Sequence, residues 1–125
     1  MTTDQLDQAR HIVDVASVQN PYSALERGQD PMVQRCTELG IALLPWRPVA
    51  GGRSANPQMC AVADELGATT VQVALAWLLH RSPVLLPIPS TTRLEHAREN
   101  TAAATLALTD VQLHRLARSS GLTLS

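Results

Sequence analysis

The sequence has no phenylalanine and no lysine, and its only aromatic side chains are two Trp and one Tyr among 125 residues. A core without Phe must be filled by Leu, Val and Ala, which suit layers of helix packed on sheet. Without Lys, every strongly basic side chain is an Arg; the arginines are scattered along the chain, and the formal net charge is −1. Nucleic-acid binding needs clustered basic side chains, so the composition argues against a nucleic-acid partner.

Cysteine is scarce, and long apolar runs are absent. Cys36 and Cys60 are far apart and fall in helical patterns, which favours two reduced, packed thiols over a disulfide or a metal pair. No apolar run reaches membrane-spanning length, the first residues lack the features of a secretory leader, and no histidine or carboxylate spacing is typical of a metal site. We therefore expect one domain over residues 1–125, in the cytoplasm, with no metal and no membrane partner.

Helix signals recur along the chain. A Thr followed three residues later by Gln or Glu is typical of a helix start, and a Gly after an apolar periodic stretch is typical of a helix end. Thr2, Thr69, Thr92 and Thr109 begin such pairs, which predict helices near 3–13, 70–81, 93–104 and 110–119. Gly40 and Gly67 end two more predicted helices, near 31–39 and 57–66. The segment 70–81 is apolar nearly all round, which predicts a buried helix.

Three short apolar runs remain between the helices, and they predict strands at Val15–Val18, Ile41–Leu44 and Val84–Ile88. Continuous apolar strands that alternate with helices are typical of a parallel sheet covered by helices. Each run leads into polar or aromatic residues: Gln19 to Tyr22, Pro45 to Arg47, and Pro89 to Thr92. Because parallel α/β folds carry their sites at the carboxyl ends of the strands, these residues are the candidate site.

Thr91 and Thr92 also stand at a predicted helix start, where free N–H groups and the helix dipole favour an anion. They are equally typical of an ordinary helix cap, so the pattern alone leaves both readings open. The loop 47–57 is rich in Gly and Pro and is long enough to be functional.

Four stretches together resemble the aldo-keto reductases in order and spacing: "VASVQNPYSALER", "ELGIALLPWRPVAGG", "ATTVQVALAWLLHRS" and "VLLPIPSTTRLEHAREN". The resemblance covers nearly the whole chain and implies a TIM barrel that uses NADPH to reduce carbonyls. The chain is similar to the second part of that barrel only, since a full barrel needs about 250 residues. We expect an α/β fold: a partial TIM barrel of three parallel βα units plus extra helices, completed or covered by oligomerisation.

The resemblance also implies cofactor contacts. Gln19 and Trp46 correspond to residues at the nicotinamide, Gly51 and Gly52 to the loop over the pyrophosphate, Ser90, Thr91 and Thr92 to the phosphate turn, Arg93 to the adenosine 2′-phosphate, and His96, Glu99 and Asn100 to the adenine. Two positions depart from the family pattern: Arg47 stands where Ser is usual, and Ser90 where Gly or Lys is common. The family's catalytic Asp, Tyr, Lys and His lie outside the resembling half, and nothing here replaces them as a set.

Three hypotheses follow from this resemblance. The first is a truncated protein repurposed for non-redox acid–base chemistry, such as cyclisation, dehydration or isomerisation of a small molecule in secondary metabolism. Tyr22 or Glu26 would then carry a proton, Arg47 would hold an anion or carbonyl, and Gln19, Arg27 and Trp46 would bind substrate. The second is an NADP(H)-binding module of an oxidoreductase completed by another chain, and the third is a non-catalytic fragment.

Cofactor and oligomer expectations accompany these hypotheses. The cofactor is either not required or is NADP(H), bound weakly. Three parallel strands cannot close a barrel, so the sheet would keep unpaired edges and an uncovered face. We therefore expect a homodimer that brings two copies of the candidate site together and buries residues of the barrel interior, drawn from Ala16, Val18, Ile41, Leu43, Leu86 and Ile88.

Overall fold

A computed structural model of the protein describes residues 1–49 and 56–119 as an α/β arrangement with a small parallel sheet. Its helices and strands occur in the order α1 (Thr3–Arg10), β1 (Ser17–Pro21), α2 (Asp30–Leu39), β2 (Ala42–Trp46), α3 (Pro57–Leu66), α4 (Thr70–Arg81), α5 (Leu94–Ala102), a 3₁₀ turn (Ala103–Thr105) and α6 (Asp110–Ser119). Each of the six predicted helices is present within a few residues of its expected bounds.

Three of the four predicted capping boxes are formed. Thr2, Thr69 and Thr109 each accept a hydrogen bond from the backbone N–H three residues on, and the Gln at that position accepts one in return. Gly40 and Gly67 end α2 and α3 with φ of 67° and 61°, the left-handed conformation expected there.

The fourth capping box, predicted at Thr92, is wrong. Helix α5 begins one residue later than that box requires, so Arg93 is the N-cap residue and it makes no side-chain cap hydrogen bond. The Arg93 backbone N–H instead donates to Thr91 Oγ1 at 3.1 Å. The first turn of α5 therefore lacks the side-chain acceptor that closes α1, α4 and α6.

The sheet has two hydrogen-bonded strands, β1 and β2, which run parallel with Val18 opposite Leu43 and Pro21 opposite Trp46. The strand predicted at Val84–Ile88 is reduced to one parallel bridge, between Leu43 and Leu85. Pro83, Pro87 and Pro89 have no N–H to donate, so this segment cannot extend a regular ladder. The expectation of three full strands is thus corrected to two strands and a bridge among the described residues.

The two faces of the sheet differ sharply. Side chains on one face, among them Val18 and Leu43, are buried beneath the helices, whereas Gln19 and Trp46 on the other face are exposed. Leu86 and Ile88 leave 52% and 43% of their surface exposed. Of the six residues from which the barrel-interior set was expected, Val18, Ile41 and Leu43 belong to the helix-covered core, whereas Leu86 and Ile88 remain exposed.

Helix α4 forms the centre of the core, as its apolar sequence predicted: the run from Val73 to Leu78 is buried throughout. Cys36 and Cys60 are free thiols, as expected. Within the described ranges, no single helix is long and apolar enough to cross a membrane; α3 and α4 together reach that length, but they are bent by 93° at their junction.

Candidate functional site

Gln19 and Trp46 lie on the open face of the sheet, near the carboxyl ends of β1 and β2. The register pairs Gln19 with Leu44 and Pro21 with Trp46. Gln19 therefore lies two residues before the level of Trp46 along the strands, on the same face of the sheet. Arg47, next in the chain, is exposed and has a φ of 57°. This left-handed backbone costs a non-glycine residue about 1–2 kcal/mol, so backbone strain is held where β2 ends.

A shallow pocket of about 450 Å³ opens at the start of α5. It is lined by Ser90, Thr91, Thr92, Arg93 and His96. The Arg93 side chain is 67% exposed and meets Glu95 only at 4.0 Å, so it is held loosely. The pocket thus combines an uncapped helix start, three hydroxyl groups and a guanidinium, which are the groups that bind a phosphate.

The residues expected at the adenine follow on α5. His96 is half-buried and lines the same pocket, whereas Asn100 and Thr91 line a neighbouring apolar pocket of about 350 Å³ between α4 and α5. The Glu99 backbone carbonyl accepts a hydrogen bond from Gln72 of α4 at 3.1 Å, which anchors α5 to the core. Thr91 lines both pockets and so stands at their shared rim.

Tyr22 does not lie at an open mouth. Its side chain is fully buried, its hydroxyl donates to the Asp30 carboxylate, and its ring centroid lies 6.0 Å from that of Trp77. Burial, together with the hydrogen bond to Asp30, raises the pKa of Tyr22 to about 12. A hydroxyl that is enclosed and holds its proton this strongly suits a structural role, so the structure does not favour the expectation that Tyr22 carries a proton to a substrate.

The other acid–base candidates are not joined to Tyr22 in one site. Glu26 is exposed, and its backbone pairs with Ser23 in a tight turn. Arg27 is bound to Asp30 at 2.9 Å and lies over the Trp77 ring, 5.2 Å from its centroid. Arg27 is therefore part of the packing around α4 rather than of the open sheet face.

Two expected contacts cannot be placed. Gly51 and Gly52 lie outside the described residues, between β2 and α3 in the sequence. Within the described part of the chain, no group of three or more His, Cys, Asp or Glu side chains is arranged to hold a metal ion.

The comparisons with known proteins identify the lineage. The family model described as "Aldo/keto reductase family" matches residues 1–120. The chain belongs to the aldo/keto reductase family. The resemblance seen in the four sequence stretches is thereby confirmed.

Two curated members share clear identity with this one. An uncharacterized oxidoreductase of Schizosaccharomyces pombe is 40% identical over 110 residues, which cover 86% of this chain and 36% of that protein. Pyridoxine 4-dehydrogenase of Escherichia coli is 42% identical over 117 residues, which cover 93% of this chain and 41% of that protein. The chain therefore spans about two fifths of the length of these relatives.

Solved structures of the family superpose closely. The thermostable aldo-keto reductase Tm1743, in complex with epalrestat, matches with a TM-score of 0.88 and 25% identity over 95% of this chain and 46% of that one. An aldo-keto reductase of Klebsiella pneumoniae with NADPH matches with a TM-score of 0.84 and 26% identity over 94% of this chain and 45% of that one. The described fold is thus that of a segment of an aldo-keto reductase.

Sequence reasoning missed the group around Tyr22. Asp30 was expected only in an ion-pair loop with Glu26 and Arg27, and Arg81 was not considered. In the structure Asp30 accepts a hydrogen bond from the Tyr22 hydroxyl and pairs with the guanidinium groups of Arg27 and Arg81. Asp30 also begins α2, directly before Pro31, which is a helix-start signal that explains the residue without any partner. The contact between Asp30 and Arg81 joins positions 51 residues apart, so local spacing carries no sign of it.

Proposed function

We propose that this chain supplies the cofactor-holding part of an aldo-keto reductase and binds NADP(H) weakly at the turn 90–93. The observation that carries this proposal is the pocket of about 450 Å³ at the uncapped start of α5. Two solved family members matched by this chain are described in complex with NADPH and with NADP and acetate. In the partial TIM barrel that we propose for this chain, the pocket comes after the Leu43–Leu85 bridge, where the chain turns into α5.

Arg93 is the residue that we propose for the adenosine 2′-phosphate. Its exposed guanidinium can form charge-assisted hydrogen bonds with a phosphate, and the N–H groups at the start of α5 add favourable dipoles. Thr91, Thr92 and Ser90 offer hydroxyl groups at the same rim, and His96 a flat wall. This arrangement favours a phosphorylated cofactor over its unphosphorylated counterpart.

Gln19 and Trp46 are the residues that we propose for the nicotinamide end. Trp46 is 44% exposed, so one side of its indole is available for a flat ring to stack on. Gln19 offers amide donor and acceptor atoms on the same sheet face. The NADP(H) chemistry, a hydride transfer, needs a substrate held against that ring, and we propose that a second polypeptide segment completes that side.

Non-redox acid–base chemistry has less support. Of its proposed proton carriers, Tyr22 is enclosed with a raised pKa, and only Glu26 is exposed. Arg47 is exposed directly after β2, where an anion can reach it. A cofactor-binding role uses Gln19, Trp46 and the α5 pocket together, and it is therefore the function that we prefer.

A homodimer is our proposal for what covers the open sheet face. Trp46, Leu86 and Ile88 expose between 43% and 52% of their surface there. Exposed apolar groups on one face are typical of an interface, and burial contributes about 25 cal/mol per Å². A second copy would cover this face by two-fold symmetry and would bring two cofactor sites into one assembly.

The binding site is tested by mapping amide chemical shifts during addition of NADP⁺ to the isotope-labelled chain. We expect the largest shifts at residues 90–93 and at His96, with smaller shifts at Gln19 and Trp46. Shifts confined to other surfaces would refute the assignment of the pocket.

A further inference from the structure

A second pocket, of about 240 Å³, lies between α4, α6 and the loop that follows β1. It shares no lining residue with the pocket at the start of α5. Its polar walls are two arginines, two histidines and a tryptophan: Arg27, Arg81, His80, His114 and Trp77. No carboxylate lines it among the described residues.

The two guanidinium groups share one carboxylate. Arg27 binds Asp30 at 2.9 Å, whereas Arg81 Nη2 lies 3.6 Å from the nearer Asp30 oxygen. The latter distance is an ion pair but exceeds a hydrogen bond, so Asp30 leaves the N–H donors of Arg81 available. Two positive charges against one negative charge leave this wall with an excess of positive charge.

The two histidines are oriented alike. The Nδ1 atoms of His80 and His114 lie 2.8 Å and 2.7 Å from the backbone carbonyl oxygens of Ala76 and Asp110. Because a carbonyl oxygen only accepts, each Nδ1 carries the proton in these contacts. Each Nε2 atom is then the free end of its ring; it accepts a hydrogen bond in the neutral imidazole and donates one in the imidazolium form.

Trp77 adds a donor at the same place. The residue is 3% exposed, and its indole N–H makes no hydrogen bond to the described residues. Among the described residues, no fully buried side-chain nitrogen or oxygen lacks a hydrogen-bond partner. The unpaired indole N–H of Trp77 is therefore accessible to solvent. Buried indole N–H groups usually find a partner, and the pocket is the opening that the Trp77 side chain lines.

We propose that this pocket binds a phosphate group, either the free ion or a small phosphate ester. A planar carboxylate offers two oxygens, whereas a phosphate presents three or more acceptor oxygens in different directions. Apart from Arg27, which is engaged with Asp30 and the Ala117 carbonyl, the polar groups come from α4 and α6 on two sides of the pocket, which suits the tetrahedral group. The volume also fits a small anion rather than a dinucleotide.

The test follows the two indole N–H resonances in a proton–nitrogen correlation spectrum while sodium phosphate is added, with sodium chloride at matched ionic strength as reference. We expect a saturable shift of the Trp77 resonance with phosphate and none with chloride. Glycerol phosphate is the second probe: tighter binding identifies an ester as the occupant, and equal binding identifies the free ion, both of which support the site.

Arg81→Gln removes the guanidinium charge and His114→Gln removes the imidazole, and we expect each to weaken the phosphate response roughly tenfold. His11→Gln is the matched control, because His11 makes the same Nδ1 contact with the carbonyl four residues earlier, at 2.7 Å on α1, outside the pocket. Arg93→Gln separates this site from the proposed cofactor site and is expected to leave the Trp77 response unchanged. A Trp77 resonance that phosphate does not shift, or one whose response in Arg81→Gln and in His114→Gln is as strong as in the wild type, overturns the proposal.

Discussion

Tyr22 was expected at a substrate site, but the structure places it in the core. It follows the strand residues Gln19 and Asn20, so its place in the chain resembles the mouth of a site. The fold turns its ring into the core, and its hydroxyl donates to Asp30, which also pairs with Arg27 and Arg81. Its hydroxyl therefore holds the start of α2 against α4 and is not exposed to substrate.

Replacing Tyr22 by Phe keeps the ring beside Trp77 and removes only the hydroxyl. The Asp30 carboxylate then loses a buried donor, so we expect the free energy of unfolding to fall by about 1–2 kcal/mol. Urea denaturation of both proteins measures this difference. Equal stability would show that the hydroxyl contributes nothing to the packing of α2 and α4.

Tyr22 is the one tyrosine, so its ionisation can be followed by tyrosinate absorbance without interference from another phenol. Its pKa is raised from 10.0 to about 12 in the folded state, chiefly by burial. A raised pKa means that this group's contribution to stability is complete below pH 10 and is lost as the pH rises towards 12. We expect tyrosinate to appear late and together with unfolding; ionisation near pH 10 in the folded protein would contradict this.

At the scale of elements, α5 differs from its neighbours because its N-cap residue is an arginine without a side-chain cap bond. The helices α1, α4 and α6 begin at Thr residues that close their first turns. An arginine at this position leaves helix N–H groups open beside a positive charge, which suits anion binding better than helix stability.

Arg93→Asn is expected to have opposite effects on stability and on cofactor binding. Asparagine is a good N-cap, so the variant should gain about 0.5–1 kcal/mol in unfolding free energy while losing affinity for NADPH. Urea denaturation and a cofactor titration measure the two effects. Thr69→Ala, which removes the cap of α4, serves as the control and should lose about 1 kcal/mol. An Arg93→Asn protein that gains stability but binds NADPH with unchanged affinity would contradict a cofactor site at the start of α5.

Elements with strong local signals were predictable, because capping pairs and left-handed glycines act within a few residues. Helix α4 was evident from its apolar sequence, and Gly40 and Gly67 marked the ends of α2 and α3. The segment after Ser82 was misjudged, since its prolines interrupt the ladder that its apolar residues suggest. The site around Asp30 depends on pairing between distant positions, which no local pattern reports.

Sequence alone did not separate the two sheet faces. A short continuous apolar strand does not reveal which of its residues face the helices, and a shift by one residue exchanges the two sets. Val18 and Leu43 are in the core, whereas Gln19 and Leu86 are on the open face. The expected cofactor residues Gln19 and Trp46 nevertheless share one face, because the parallel register aligns the strand ends.

At the scale of the whole molecule, the uncovered sheet face determines the oligomeric state that we predict. We expect sedimentation analysis to show a dimer, and Leu86→Gln to shift it towards monomer by making the exposed patch polar. Val111→Gln is the matched control, because Val111 is 68% exposed on α6, away from that face. A soluble wild-type monomer at micromolar concentration, or equal dissociation in both variants, would contradict a dimer formed through the sheet.

The most direct test of the central claim is a calorimetric comparison of NADPH and NADH binding by the wild type, Arg93→Gln and Arg98→Gln. Arg98 lies on α5 but does not line the pocket, so its variant controls for lost positive charge. We predict that the wild type binds NADPH weakly, with a dissociation constant above about 1 µM, and prefers it to NADH. Arg93→Gln should lose that preference, and Arg98→Gln should keep it. Submicromolar NADPH binding that is unchanged in Arg93→Gln, or no NADPH binding by the wild type at all, would contradict the account.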